Sequence, residues 1–427
     1  MAQAASEASG VMAGFGPPPP MDLPTDPEEI VAWLFDPGRR GELYPLYHEL
    51  RRRAPVHHTA DPHLAGVWLL SRFPDALSIY RNPRAVSDPA TAEHFNHAGQ
   101  SGPFYQMLRK MMLFLESDAH LRVRRIATRA FTPRSIAAVR PVTQAIADRL
   151  LDEVAPQGQM DVVEEFAAKL PVAVISRLLG VPEADLPLIG QYAADFARGS
   201  EMSLVETERT RRADAAALGF RDYFEHLIRR RRQDPGDDVL SALIAAEDAG
   251  DRLDHDEVVA TSVLLLQAGH ETTTDSIGNA LVALFRHPDQ MAVLRRRPEL
   301  TKNAVEELLR YDSANQVNNR LLLDDVQLGD FRLPAGDHVA VLVGAANRDP
   351  EQFPRPDVLQ LDRPTPQHVA FAFGAYYCLG NALARTELEV ALRSLIDRFP
   401  QLRPATDHFA WRDTLRNRGP QSLVVAW

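Results

Sequence analysis

Cys378 is the one cysteine in a chain of 427 residues. It stands in the stretch AFAFGAYYCLGNALART, residues 370–386, between Gly374 and Gly380. The apolar residues that follow it recur at helical spacing, so the thiol sits at the mouth of a helix. Free N–H groups and the positive end of the helix dipole there favour thiolate, the reactive and ligating form of cysteine. Glycines permit positive φ and close approach of backbone or a flat group, and Phe371 and Phe373 add apolar shielding. Residue types alone leave three readings: a thiolate ligand for haem iron, a catalytic thiol needing a positioned histidine base, or a small buried hydrophobe.

A second constellation is AGHETTT, residues 268–274. It interrupts a long apolar pattern with two small residues and then a poor helix run, Glu271 through Thr274. Thr272 lies four residues after Ala268, so its hydroxyl can bond to that carbonyl and open the helix. The alternative, a surface threonine run, fits poorly with such apolar flanks. Glu307 and Arg310 stand three apart and can pair on one helix face.

The elements that must carry these residues are mostly helical. Asp254 with Glu257 three residues later predicts a capped N-terminus. The apolar run then continues to Phe285, and Pro288 opens the next helix. A helix that long, apolar nearly all round, belongs in the middle of the fold. Further helices are predicted from residue 120 to about 310 and over 379–399; Arg229 to Arg232 read as a solvated helix end. Residues 88–113 read as an irregular, functional loop. Beyond Arg310 the pattern alternates between Gly-containing turns, predicting short antiparallel strands, and the chain closes on the strand SLVVAW. The expected architecture is mainly α: a flexible tail over 1–25, then one domain over 26–427, a large helical body with a small β-rich lobe.

Hydrophobic residues are 45% and charged residues 25%, as in globular proteins. A net charge of −11 argues against wholesale binding of nucleic-acid phosphate. One cysteine excludes an intrachain disulfide or a multi-cysteine metal site and suits a reducing cytoplasm. No apolar run is long enough to cross a membrane. The N-terminus lacks the basic start and apolar core of a secretory signal.

The spacing Phe371-x-x-Gly374-x-x-x-Cys378-x-Gly380 resembles the haem-ligand loop of the cytochrome P450 family, soluble bacterial type. AGHETT resembles that family's oxygen-activating segment, and EELLR its Glu-x-x-Arg pair at Glu307 and Arg310. AHLRVRRIATRAFTPR resembles its haem-propionate helix, and AANRDPEQFPRPD the segment before the cysteine loop, all in the family's order. The resemblance covers about residue 25 to the C-terminus. It implies haem b with Cys378 as the metal ligand. It also implies Thr272 and Glu271 as the alcohol and acid that deliver protons to dioxygen over the groove at Ala268 and Gly269. His120, Arg124 and Arg320 become propionate donors. Two departures stand out. Tyr376 replaces the usual His or Arg two residues before the cysteine. Val358 occupies the place of the arginine that completes the Glu307–Arg310 pair, leaving Arg348 or Arg355 to substitute.

The implied activity is a monooxygenase that hydroxylates or epoxidises a lipophilic small molecule. The chamber would be lined by 88–113, the middle of 175–215, 263–269, 314–318 and the turn near Leu415. Asn315 or Asn318 would bond either a substrate oxygen or local turn backbone. No flavin or iron–sulfur segment is present, so electrons would come from an external ferredoxin and its reductase, docking on Arg122, Arg125, Arg129 and Arg385. The protein would act as a cytoplasmic monomer. A peroxide-driven enzyme and a non-enzymatic haem sensor are the alternatives; the Glu271-Thr272 pair argues against both.

Overall fold

The computed structural model describes residues 11–16, 22–60, 66–87, 102–115, 117–128, 131, 133–199, 207–248, 253–364 and 367–427. One helix, His255–Arg286, runs through the helical body for 32 residues, about 48 Å at 1.5 Å per residue. Its N-terminus carries the expected capping box: Asp254 accepts from Glu257 N at 2.7 Å, and Glu257 accepts from Asp254 N at 3.0 Å. Its flanks are buried from Glu257 to Leu266 and from Thr273 to Leu284, whereas Ala268 is exposed and its immediate neighbours are only partly covered. Each fully buried Leu or Val there contributes about 1.5–3 kcal/mol. Helices Lys169–Leu178, Leu186–Gly199, Thr207–Gln233, Thr301–Tyr311 and Asn381–Arg398 surround it.

The β lobe centres on a five-stranded sheet in the order Val56–Thr59, Val67–Leu70, His338–Leu342, Val317–Leu322, Ala85–Val86. The antiparallel expectation holds except in the middle, where Val67–Leu70 pairs parallel with His338–Leu342. That pairing joins segments about 270 residues apart, which local alternation does not encode.

Two other segments differ from expectation. Part of the predicted tail is structured: Val11–Gly14 pairs antiparallel with His408–Trp411. Arg286 donates to Gly14 O at 2.7 Å, and the Phe15 ring lies 5.9 Å from Phe285 and 5.2 Å from Phe409. These ties outweigh the segment's low intrinsic preference for order. Within the predicted irregular loop, Pro103–Lys110 is a helix and Met112–Phe114 a turn of 3-10 helix. Phe104, Met107 and Leu108 on that helix are buried, so tertiary packing decides. Residues 88–101 lie outside the described residues.

Candidate active site

The cysteine loop is built by its own backbone. Cys378 N donates to Phe371 O at 2.9 Å, Ala372 N to Val369 O at 2.9 Å and Tyr377 N to Gly374 O at 3.1 Å. Ala372 and Gly374 both have positive φ, 56° and 68°. A Cβ at Gly374 would lie 2.2 Å from Tyr80 O, so no side chain fits. Gly380 is different. Its φ is −83°, and nothing lies within 4 Å of a Cβ placed there. Its missing side chain keeps space free rather than permitting the turn. The following helix, Asn381–Arg398, begins three residues after the thiol, and Asn381 Nδ2 donates to Cys378 O at 2.7 Å. Burial pushes the Cys378 thiol up, while the Gly380 N–H, Arg124 and Arg385 act toward thiolate.

A carboxylate clamps the base of this loop. Glu306 accepts from Arg385 at 2.5 and 3.0 Å and faces His368 Nε2 at 3.1 Å. His368 is thus a local hydrogen-bonding residue, and its Nδ1 accepts from Ala370 N at 3.2 Å. Burial raises Glu306, but His368 and Arg385 overcome it and hold the carboxyl at about 2. Arg385 also lies over the Phe371 ring at 4.4 Å.

Helix Ser117–Thr128 and strand Val317–Leu322 bring three cationic or ionisable donors to the rim of the loop. His120 Nδ1 faces Met112 O at 2.9 Å and Nε2 faces Ala375 O at 3.3 Å. Burial lowers its pKa, and a neutral ring can donate to only one of these carbonyls. Arg124 donates to Tyr377 O. Arg320 is 6% exposed, donates to Asn319 O at 2.7 Å, and its Nε has no hydrogen-bond partner among the described residues. Neither arginine has a carboxylate partner there. Tyr376 packs on His120, with ring centroids 4.2 Å apart, and lies under Arg320 at 4.8 Å. A buried guanidinium with one backbone carbonyl and aromatic rings for company is costly unless an anion completes it. This donor set fits the propionates of a haem whose iron meets Cys378.

On the central helix, Thr272 Oγ1 donates to Ala268 O at 2.9 Å, as its spacing predicted. The helix does not open, however. Thr274 bonds back to His270 O at 3.0 Å and Ser276 to Thr272 O at 2.6 Å within an unbroken helix. A Cβ at Gly269 would meet only Ile175, at 3.9 Å, so there is room beside this face. Burial raises Glu271, and Asp275 one turn later raises it further. Burial also lifts Asp275 to about 6 against the pull of Arg412. Arg412 reaches both, 3.1 Å from Asp275 and 3.8 Å from Glu271. Burial and Arg412 lower His270 to about 4.

Glu307 and Arg310 are both fully buried and paired at 2.7 and 2.9 Å. The third member is Arg363, neither Arg348 nor Arg355. Its Nε lies 3.1 Å from both Glu307 oxygens, and its other nitrogens donate to Pro354 O, Arg355 O and Val358 O. Arg348 instead donates to Tyr311 O and Asp357, while Arg355 is exposed and bonds Gln360 at 3.3 Å. Val358 is exposed, so the irregular segment has put its arginine five positions later.

Some expected partners are occupied. Asn318 Nδ2 donates to Tyr80 OH at 2.9 Å, whereas Asn315 bridges Asn417 and its Oδ1 is unpartnered among the described residues. Arg122 pairs with Glu257 and Arg385 with Glu306, which removes two cations from the expected docking face. Arg125 is exposed; Arg129 lies outside the described residues. Sequence reasoning passed over Asp275, Arg363, Glu387 and Arg412. Only Asp275 carried a local signal, its place four residues after Glu271. Glu387, 1% exposed on the helix that follows the cysteine, is pushed up to about 8 by burial, against a hydrogen bond from Thr273.

No helix among the described residues is long and apolar enough to cross a membrane. The family profile described as Cytochrome P450 matches residues 201–408. The chain is 37% identical over 400 residues to cytochrome P450 107B1 of Saccharopolyspora erythraea, covering 92% of this chain and 96% of the relative. It is 36% identical to the mycinamicin IV hydroxylase/epoxidase of Micromonospora griseorubida, covering 89% and 94%. The crystal structure of CalO2 superposes with a TM-score of 0.85 at 36% identity, over 91% of this chain and 96% of that one. The chain is a member of the cytochrome P450 family and an oxidoreductase.

Proposed function

We propose that this P450 holds haem b between the Cys378 loop and the central helix and acts as a monooxygenase on a lipophilic small molecule. The observation that carries this reading is the donor set around a single cysteine: Arg320, buried and without a carboxylate partner among the described residues, beside Arg124 and His120 at the rim of the thiol loop. Cys378 Sγ would hold the iron, with the Gly380 N–H, Arg124 and Arg385 supporting the thiolate. Arg320, Arg124 and His120 would take the propionates. A propionate at His120 would favour protonation of both ring nitrogens, offsetting its burial.

Bound haem supplies the redox chemistry of dioxygen activation. The protein supplies placement, protons and exclusion of water. Thr272 already spends its O–H on Ala268 O, so its lone pairs can accept a hydrogen bond on the exposed side. Glu271, raised by burial, holds its proton more tightly than an ordinary carboxyl, and Asp275 with Arg412 shapes its charge environment. Electrons would come from a ferredoxin meeting the Arg125 face of helix Ser117–Thr128.

The test is the reduced, carbon monoxide-bound absorption spectrum of wild type and Cys378→Ser. A far-red-shifted Soret band in wild type, lost in the variant, is expected. A histidine-type spectrum, or one unchanged in the variant, overturns the reading.

A further inference from the structure

Three arginines stand within seven residues in the C-terminal turn: Arg412, Arg416 and Arg418. Two have carboxylate partners. Arg418 Nε donates to Asp312 at 2.9 Å and lies over the Trp411 ring at 3.7 Å, and Arg412 pairs with Asp275. The Arg416 guanidinium has no hydrogen bond, no ion pair within 4.0 Å and no aromatic face among the described residues.

Arg416 is not a surface cation. Burial lowers its pKa, and the charge that acts on it is Glu271, the residue before Thr272. Its backbone is tied to the segment at residues 314–316. Gln316 N donates to Arg416 O at 2.8 Å, Arg418 N donates to Ala314 O at 2.7 Å, and Asn315 bridges Asn417. Leu415, Arg418, Gly419 and Pro420 around it are buried, while Arg416 keeps part of its surface. The turn that carries it lies against the central helix just past the partly covered stretch at 267–272: Arg412 lies 3.8 Å from Glu271 and 3.1 Å from Asp275, and a Cβ at Gly419 would lie 2.1 Å from Asp275 Oδ1.

We propose that Arg416 anchors a carboxylate of the substrate, so that this P450 acts on amphipathic acids, with an apolar body and an acidic end. The proposal rests on the monooxygenase reading and adds its substrate class. A cation drawn out of water without a partner is costly, and an anion arriving with the ligand removes that cost. The planar fork of one guanidinium matches the two oxygens of a carboxylate. A phosphate dianion would carry a second negative charge toward Glu271 and Asp275 with no further unpaired arginine in the turn to balance it.

The experiment uses purified holoprotein. Straight-chain acids from octanoic to hexadecanoic are titrated beside the matched primary alcohols, by calorimetry and by spin-state shift. A charge-assisted bond predicts that acids bind about tenfold to a hundredfold more tightly than their alcohols. That preference should vanish in Arg416→Gln and survive in part in Arg416→Lys. Equal affinities in wild type, no binding of any acid, or a preference that persists in Arg416→Gln overturns the proposal. The carbon monoxide spectrum of the same samples separates the two readings. A thiolate signature without acid preference sinks the carboxylate subsite alone. An Arg416-dependent acid preference without that signature sinks the monooxygenase reading and leaves the subsite.

Discussion

Arg363 gives the sharpest test of how the helical body is fastened to the irregular segment that precedes the cysteine loop. Arg363→Met keeps the length and apolar stem of the side chain and removes five contacts: both Glu307 oxygens at 3.1 Å, and the carbonyls of Pro354, Arg355 and Val358 at 2.8, 3.3 and 2.9 Å. Glu307 retains Arg310, but the three carbonyls lose their donor. Breaking a buried charge network in this way costs about 3–5 kcal/mol. With an unfolding entropy near 2.1 cal/mol/K per residue, a chain of 427 residues should melt about 3–6 °C lower. Arg355→Met removes one exposed contact at 3.3 Å and should shift the melting temperature by no more than about 1 °C.

Arg348 is buried too, against Tyr44 and Tyr311, so Arg348→Met also destabilises. Melting temperature alone therefore does not identify the partner of Glu307. A double-mutant cycle with Glu307→Gln does. Arg363 and Glu307 should couple by about 1–3 kcal/mol, while Arg348 and Glu307, which share no partner, should add within about 0.5 kcal/mol. Strong coupling of Arg348 to Glu307, or additivity of Arg363 with Glu307, refutes the assignment.

Thr272→Ala removes the hydroxyl beside Glu271 and should divert electrons from product to peroxide and water, read as product formed per reducing equivalent consumed; full coupling in the variant defeats the role given to Thr272. Asp275 is buried and its folded pKa of about 6 lies above its unfolded value, so its proton stabilises the fold at low pH and that contribution is lost as pH rises from about 4 to about 7. The loss is about 3 kcal/mol, and calorimetry should find the stability of Asp275→Asn flatter across that range; an unchanged slope would show that Asp275 titrates normally. Gly374→Ala places a Cβ 2.2 Å from the Tyr80 carbonyl at a φ of 68°. It should abolish haem incorporation while circular dichroism reports an intact helical body; normal haem content refutes the packing argument.

What the sequence disclosed is what local chemistry encodes. The central helix was legible because its cap, Asp254 with Glu257, and its apolar run are contiguous. The cysteine loop was legible because Gly374 has to avoid the Tyr80 backbone, which fixes a residue type at one spacing. Arg363 was not legible. It sits in an irregular segment, where no periodicity sets the register between a side chain and a buried carboxylate on another helix. The same holds for the parallel pairing of Val67–Leu70 with His338–Leu342 and for Val11–Gly14, whose partners lie hundreds of residues away. Composition made residues 1–25 look like a tail, and only the docking of Phe15 against Phe285 and Phe409 shows why part of it is held.

The C-terminal turn shows how distant chemistry can be joined without being contiguous. Arg418 fixes it to the body through Asp312, and Gln316 and Ala314 tie its backbone to the start of the strand segment after helix Thr301–Tyr311. From that base Arg412 reaches the Glu271–Asp275 pair, and the Arg416 charge acts on Glu271. Gly419 is what allows the approach, since a Cβ there would lie 2.1 Å from Asp275 Oδ1. A carboxylate drawn to Arg416 would take that cation's attraction away from Glu271 and add a negative charge beside it. Both effects raise the affinity of Glu271 for its proton. An acidic substrate would thus charge the proton donor next to Thr272 as it binds, and a neutral analogue of the same shape would not.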